Sequence, residues 1–173
     1  MTTKLEHTEL DVAHFNNFKH LIPNYDKMDE YTINNLLGHG MIQVSTAFEY
    51  AVAKVANTTV VSADTNDLDN GNDTKLSTVR FSSKRQYYSA PIKAVHNKTG
   101  TLCVQVYERI QDKFYYFMIP KSEHSKVGLK STIEIPFSLD GTPRKVPLHT
   151  KRLPNWWQFE VPTFHNLGNL DFF

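Results

Sequence analysis

The spacing of apolar residues changes near residue 57, and this change constrains the fold more than any other feature of the chain. Up to residue 56, apolar side chains recur at three- and four-residue intervals, which is typical of helices that bury one face. Beyond it, short β-branched and aromatic runs alternate with polar residues between turn-forming stretches, which indicates strands. The order predicts a mixed α/β or α+β fold, with N-terminal helices packed on a mixed, largely antiparallel central sheet.

Three helices and six strands are predicted within one domain that spans residues 1–173. The helices are expected at about 11–21, 27–37 and 41–56, and the strands at 58–62, 73–81, 87–95, 101–110, 113–119 and 132–137. Turns are expected at Asn70-Gly71, Gln111-Asp112 and Asp140-Gly141. The domain comprises a helical N-terminal segment (1–40), a core (41–140) and an ordered but irregular Pro/Trp-rich arm (141–173), in which the tryptophans anchor either the arm or a partner.

Composition argues against several classes of protein. The 173 residues are 40% hydrophobic but include no long uncharged apolar run, so no membrane span is expected, and the polar N-terminus gives no sign of a secretory signal. Cys103 cannot form an internal disulfide and is predicted to be a buried, inert thiol in a strand. The eight histidines are dispersed, which does not favour a zinc site. These features predict a cytoplasmic protein.

The charges are distributed unevenly along the chain. Residues 1–75 contain five Lys/Arg and 11 Asp/Glu, whereas residues 76–173 contain 14 Lys/Arg and seven Asp/Glu. A metal-dependent nuclease needs both kinds of charge, because carboxylates hold the metal and cations hold the phosphate backbone. The split is also compatible with an ordinary folded surface on which the two signs mix, because the halves of a sequence need not be the halves of a structure.

The densest chemistry lies between residues 64 and 75, where four aspartates precede a lysine. Asp73 and Lys75 are two residues apart in a predicted strand, so their side chains are expected on the same face. In phosphodiester hydrolysis such a carboxylate can bind a divalent cation, while the lysine orients the attacking water and stabilises developing charge. A second carboxylate from the preceding residues would complete a site suited to Mg²⁺.

Two other interpretations of the acidic stretch do not require catalysis. Asp and Asn are preferred turn residues, so the run can be a solvated turn. A calcium loop of the EF-hand type is excluded, because aligning Gly71 with its sixth position puts the apolar Leu68 at its third.

Asp73-Thr74-Lys75, an upstream Asp64 and Glu49 on the preceding helix together resemble the restriction-endonuclease-like, PD-(D/E)xK, nucleases. The resemblance covers roughly residues 41–119, and the chain departs from the pattern in lacking a proline before Asp64 and in having Asp where Glu is commoner. It implies a restriction-endonuclease-like core and a Mg²⁺ cofactor, for which Mn²⁺ can substitute. It also implies that Asp64, Asp73 and Glu49 ligate the metal and that Lys75 positions the water.

The identity of the first acid stays open at this point. Asp64 lies nine residues before Asp73, which leaves enough chain for it to reach across a hairpin. Asp67 and Asp69 are closer to Asp73 and suit turn positions better, although Asp67 remains a fair alternative.

A basic and aromatic cluster follows the Asp-x-Lys strand. Arg80, Lys84 and Arg85 precede Tyr87 and Tyr88, and cations beside aromatic rings can bind phosphates and stack on bases. We therefore predict that these three cations contact the DNA backbone.

The sequence thus predicts an Mg²⁺-dependent DNA endonuclease of restriction, homing or phage type that acts on double-stranded DNA. Cutting both strands requires two active sites, so a homodimer or a higher symmetric oligomer is expected. One alternative is a non-catalytic nucleic-acid-binding accessory protein whose acidic stretch is only a turn. Another is a protein–protein interaction module that uses the Pro/Trp arm.

Overall fold

Helices occupy the N-terminal third of the chain, which confirms the prediction from apolar spacing. A computed structural model describes residues 4–23, 25, 27–40, 42–61, 67–82, 87–93, 100–124, 132–145 and 155–168. Its α-helices are α1 (Lys4–Phe18), α2 (Glu30–Gly38), α3 (Val44–Val55) and the short α4 (Lys121–His124). None of the helices in these ranges combines the length and apolarity needed to cross a membrane.

All three predicted helices start at other residues than predicted, α1 earlier and both α2 and α3 three residues later, and the shifts of α1 and α2 have identifiable reasons. Helix α1 begins about seven residues early, at Lys4, because residues 4–10 carry no apolar stripe from which a helix could be recognised. It ends at Phe18 and continues as a 3₁₀ turn, Lys19–Leu21, so the predicted end at residue 21 is confirmed. Helix α2 begins after Asp29, whose Oδ1 accepts a hydrogen bond of 2.7 Å from the backbone N–H of Thr32.

Within the described residues, seven strands form two sheets rather than the single central sheet that was predicted. The strands are β1 (Asp73–Thr78), β2 (Arg80–Ser82), β3 (Tyr87–Lys93), β4 (Leu102–Glu108), β5 (Lys113–Ile119), β6 (Thr132–Phe137) and β7 (Glu160–Val161). The first sheet has the order β1-β4-β5-β7, in which β1 and β4 are parallel and the other pairs antiparallel. The second sheet, β2-β3-β6, is antiparallel. The prediction of a mixed α+β fold with mostly antiparallel strands is confirmed.

Strand β4 separates two hydrophobic cores. Its Cys103 packs with the helices, whereas Leu102, Val104 and Val106 pack against the second sheet. The alternation follows from the period of two in a strand and explains why nearly all of β4 is buried. The described elements therefore form three layers: helices, first sheet and second sheet.

The predicted strand 73–81 is two strands that belong to different sheets. The chain leaves the first sheet at Val79, which is buried and donates its N–H to the carbonyl of Tyr107 at 2.9 Å. The apolar positions change parity between Leu76, which packs with the helices, and Val79 and Phe81, so the alternation shifts by one residue where the chain changes sheet.

The predicted hairpin between residues 58–62 and the Asp-x-Lys strand is not what forms. In the described part of that region, Val60 makes a single antiparallel bridge with Leu68, and β1 pairs with β4 instead. The turn itself is present, because the N–H of Gly71 donates to the carbonyl of Leu68 at 2.9 Å and Gly71 has a positive φ of 93°. It delivers the chain into β1 rather than closing a two-stranded ribbon.

A buried polar network attaches α1 to the first sheet. His14 Nδ1 accepts from Gln105 Nε2 at 3.0 Å, so in the neutral ring Nε2 carries the proton and donates to Thr78 Oγ1 at 3.0 Å. Asn17 Nδ2 donates to Gln105 Oε1 at 2.9 Å and to the hydroxyl of Tyr116 at 2.8 Å. Burial lowers the pKa of His14 from 6.5 to about 4, partly opposed by a hydrogen bond with the backbone of Ser77.

This network predicts a loss of stability in acid. The unfolded chain takes up a proton at His14 below pH 6.5, whereas the folded protein resists protonation down to about pH 4. The free energy of unfolding is therefore expected to fall by about 2 kcal/mol from this residue alone between pH 7 and pH 5. Urea denaturation of the wild type and His14→Gln at both pH values measures the difference.

The control is His20→Gln, which removes an exposed histidine from the adjoining 3₁₀ turn. His20→Gln should show the wild-type decrease in the free energy of unfolding between pH 7 and pH 5. In His14→Gln that decrease should be smaller by about 2 kcal/mol. Equal pH dependence in the wild type and His14→Gln would contradict the role assigned to the buried ring.

The described part of the C-terminal arm belongs to both cores. Trp156 and Trp157 are the buried residues of a 3₁₀ turn (Trp156–Phe159) that packs against the second sheet, and Val161, Phe164 and Leu167 pack with the helices. Strand β7 adds to the free edge of β5. The tryptophans therefore anchor the arm to its own domain, which is one of the two roles predicted for them.

Candidate functional site

Asp73 and Lys75 project from the same face of β1, as their spacing predicts. The Asp73 carboxylate has no solvent exposure, Lys75 is 29% exposed, and Nζ lies 3.8 Å from Oδ2. That separation is within ion-pair range but longer than a hydrogen bond. Because the acid is buried and the amine is partly exposed, solvent approaches the pair from the lysine side.

This pair faces the second sheet. Asp73, Lys75 and Ser77 alternate with residues that face the helices, and Ser77 Oγ donates to the carbonyl of Pro91 on β3 at 2.7 Å. Leu76, one of the alternate residues, packs into the core that contains α3. The sheet therefore lies between the acid–amine pair and the helical layer.

This arrangement bears on Glu49, the predicted helical ligand. Glu49 is half-buried on α3, and α3 packs against the face of β1 opposite to Asp73. The predicted convergence of Glu49 with Asp73 is therefore not supported. The sequence places Glu49 at the edge of the apolar stripe of its helix, but that position does not reveal which face of the sheet the helix covers.

The nearby aspartates have local structural positions. Asp67 Oδ2 accepts from the backbone N–H of Thr74 at 2.9 Å and from its hydroxyl at 3.2 Å, which secures the start of β1 beside Asp73. Asp69 is exposed in the turn, and its backbone N–H donates to the carbonyl of Thr59 at 2.8 Å. Asp67 and Asp69 thus have the structural positions that the turn interpretation of the acidic stretch predicts.

Three of the predicted site residues, Asp64, Lys84 and Arg85, lie outside the described residues. Within the ranges that the structure describes, no three His, Cys, Asp or Glu side chains come together as a metal-binding group. Asp73 is the hard oxygen donor that the described strand β1 offers to a metal ion. Mg²⁺ commonly uses only one or two protein carboxylates and takes its remaining ligands from water and phosphate, so this donor fits the ion.

Cys103 is the partner of Thr74 in the parallel ladder and is fully buried. Burial raises the pKa of its thiol to about 12, and the charge of Asp73 adds to the shift. The thiol is therefore protonated at neutral pH, as expected for the inert cysteine that the sequence predicted.

A hollow in the surface lies beyond the C-terminal end of β1, where the chain passes into β2. Arg80, the one predicted DNA-binding residue among those described, lines an open hollow of about 510 Å³. The other lining residues are Val79, Phe81, Tyr88, Arg109 and Ile110.

Glu108, a buried carboxylate that sequence reasoning missed, holds this hollow together. Its Oε1 accepts from the Tyr88 hydroxyl at 2.7 Å and from the N–H of Ile110 at 2.8 Å, and its Oε2 accepts from the N–H of Gln111 at 2.6 Å. A Cβ on Gly141 would lie 2.6–2.9 Å from this carboxylate, so only glycine fits beside it without displacement. A signal existed in the sequence, because alternation along β4 gives Glu108 the same inward face as Val106.

Comparison of the chain with protein-family models, curated proteins and solved structures finds no match.

Proposed function

We propose that this chain is an Mg²⁺-dependent DNA endonuclease whose active site, of the restriction-endonuclease-like kind, is centred on Asp73 and Lys75. The observation that carries the proposal is the geometry of the pair: a buried carboxylate and a partly exposed amine, 3.8 Å apart on one strand face.

Stability alone does not account for such a pair. Removing a carboxylate and an ammonium from water costs several kcal/mol for each ion, and apolar replacements of buried ion pairs are often neutral or stabilising. A pair of this kind is therefore more readily explained by chemistry than by its contribution to folding.

In the proposed site each described residue has a defined task. Asp73 would supply an anionic oxygen to Mg²⁺, and the bound ion would stabilise negative charge on the scissile phosphate. Lys75, on the solvent side, would orient the water that attacks phosphorus and stabilise the charge that develops as the P–O bond breaks. Asp64 is the proposed second carboxylate, whereas Glu49 is left out because its helix covers the opposite face of β1.

Binding of duplex DNA would involve the basic residues after β1. Arg80 lies on β2, and Lys84 and Arg85 follow it by four and five residues in the sequence. Cutting both strands would require two copies of the site, so a homodimer or a higher symmetric oligomer remains part of the proposal.

The test is incubation of the purified protein with supercoiled plasmid in Mg²⁺, in Mn²⁺ and in EDTA. Nicked and linear products are expected with either metal and not in EDTA, because the Asp73 site would lack its cation. Plasmid that stays supercoiled under all three conditions would refute the proposed activity.

A non-catalytic nucleic-acid-binding role is the second candidate, and the hollow beside Arg80 favours it independently of Asp73. Two arginines and an exposed phenylalanine line that hollow, which suits phosphates and bases. This alternative predicts a gel shift that weakens with salt and no cleavage of plasmid in Mg²⁺.

A further inference from the structure

Two of the apolar side chains that line the hollow beside Arg80 are left largely in water. Phe81 on β2 is 55% exposed, and Ile110 on the β4–β5 turn is 59% exposed. Tyr88 pairs with Phe81 across the strands and, with Val79, is among the buried residues of the lining. Apolar side chains in such positions gain free energy only when something covers them.

These lining residues belong to elements that one carboxylate connects. Glu108 accepts hydrogen bonds from the Tyr88 hydroxyl and from the N–H groups of Ile110 and Gln111, so it fixes the turn relative to β3. Burial and the hydrogen bond to Glu108 both raise the pKa of Tyr88, so its hydroxyl remains a donor to that carboxylate. The β4–β5 turn also contacts the turn that follows β6, because Gln111 Nε2 donates to the carbonyl of Asp140 at 2.8 Å. A hollow held in this way is preorganised, which lowers the cost of binding.

We propose that this hollow binds one unpaired nucleotide of a DNA strand. In this assignment the base stacks on the ring of Phe81 beside Ile110, and the guanidinium groups of Arg80 and Arg109 bind the flanking phosphates. Base stacking on an exposed aromatic ring combined with cations along the backbone is how proteins hold single-stranded nucleic acid. The hollow's 510 Å³ lies within the usual range of small-molecule sites, which leaves room for a single nucleotide.

The charge on the lining selects this occupant over a second copy of the chain. A symmetric contact through the hollow would bring Arg80 and Arg109 toward the same residues of the partner, and like charges at an interface are unfavourable. A nucleotide offers a planar ring for the apolar side chains and an anion for the arginines.

This inference rests on the proposed function for its choice of DNA as substrate. It adds that the bound strand contains an unpaired nucleotide. Thr78, at the end of β1 next to the hollow, is five residues from Asp73, or roughly 16 Å along a strand. In a B-form strand that distance corresponds to about five nucleotides. The hollow would therefore hold a nucleotide several positions away from the phosphate at the acid–amine pair.

The experiment measures the affinity of two fluorescein-labelled probes by anisotropy in EDTA, which prevents cleavage: a dT₁₂ oligonucleotide and a blunt 20-bp duplex. Phe81→Ala is expected to weaken binding of dT₁₂ roughly tenfold, from the loss of one stacked base, and to change duplex binding less than about twofold. Arg80→Gln should reduce the slope of log Kd against log salt for dT₁₂ by about 0.7, the value for one phosphate contact.

Tyr31→Ala is the matched control, because Tyr31 is an aromatic residue that is 77% exposed on α2, away from the hollow. It should bind both probes as the wild type does. An unchanged dT₁₂ affinity in Phe81→Ala, or an equal loss on both probes, would overturn the inference. The inference would also be overturned if free dTMP bound as tightly as dT₁₂ in competition, because the hollow would then be a site for mononucleotides.

These outcomes are independent of cleavage. A protein that leaves plasmid intact but binds dT₁₂ through Phe81 would refute the nuclease and keep the nucleotide site. A protein that cleaves plasmid through Asp73 while Phe81→Ala binds dT₁₂ normally would support the nuclease and refute the nucleotide site.

Discussion

Replacing Asp73 by Asn or Lys75 by Met is expected to lower the rate of plasmid cleavage in Mg²⁺ at least about 100-fold. Asn keeps the shape of the aspartate but removes the anionic oxygen that would hold the metal. Met keeps most of the volume of the lysine stem but removes the charge that would stabilise the reacting phosphate. The measurement is the initial rate at which supercoiled plasmid disappears.

A double variant separates loss of chemistry from loss of fold. Removing one partner alone leaves the other charge in a largely desolvated position, whereas removing both together is often neutral for stability. Asp73→Asn/Lys75→Met should therefore unfold in urea close to the wild-type midpoint and still fail to cleave. Lys54→Met, which removes an exposed lysine from α3, should cleave at the wild-type rate. A double variant that retains wild-type cleavage would exclude this pair as the active site.

Trp157→Ala is expected to lower the free energy of unfolding by about 3–5 kcal/mol, the largest effect on stability that we predict for a single side chain. The indole is nearly fully buried, and its ring centroid lies 5.1–5.5 Å from those of Tyr115, Phe117 and Phe137. Its Nε1 also donates to the carbonyl of Pro136 at 3.0 Å, so alanine would leave a cavity and remove one of the two hydrogen bonds that this carbonyl accepts. Urea denaturation monitored by circular dichroism measures the change.

The neighbouring Gln158 provides the comparison. It is exposed on the same 3₁₀ turn, and Gln158→Ala should change stability by no more than about 0.5 kcal/mol. A Trp157→Ala protein as stable as Gln158→Ala would mean that the arm does not contribute to the second core as its contacts indicate.

Local patterns predicted the elements of this fold well, because each depends only on neighbours in the sequence. The strands Lys113–Ile119 and Thr132–Phe137 have the predicted bounds, and Asp73 and Lys75 share a face as a period of two requires. The turn before β5 contains Asp112 with a positive φ of 52°, close to where the sequence predicts it.

Long-range relations were not available from these patterns. The parallel pairing of β1 with β4 joins segments that begin 29 residues apart, and no local pattern encodes that pairing. The relation of Glu49 to Asp73 was not predictable for the same reason, since amphipathicity defines the buried side of a helix but not the face of the sheet that it covers. The hollow was missed because its lining comes from three separate segments of the chain.

The order in which the segments of the fold are synthesised determines when the acid–amine pair can be held in place. The strand that carries Asp73 and Lys75 has its ladder partner in β4, and α1 is held by Gln105 and Tyr116, roughly 90 to 100 residues downstream. The helical core also needs Val161, Phe164 and Leu167 near the end of the described chain. Residues up to Leu167 must therefore have been synthesised before the acid and the amine are fixed in place, so a polypeptide terminated before that residue would lack the packed core that supports the pair.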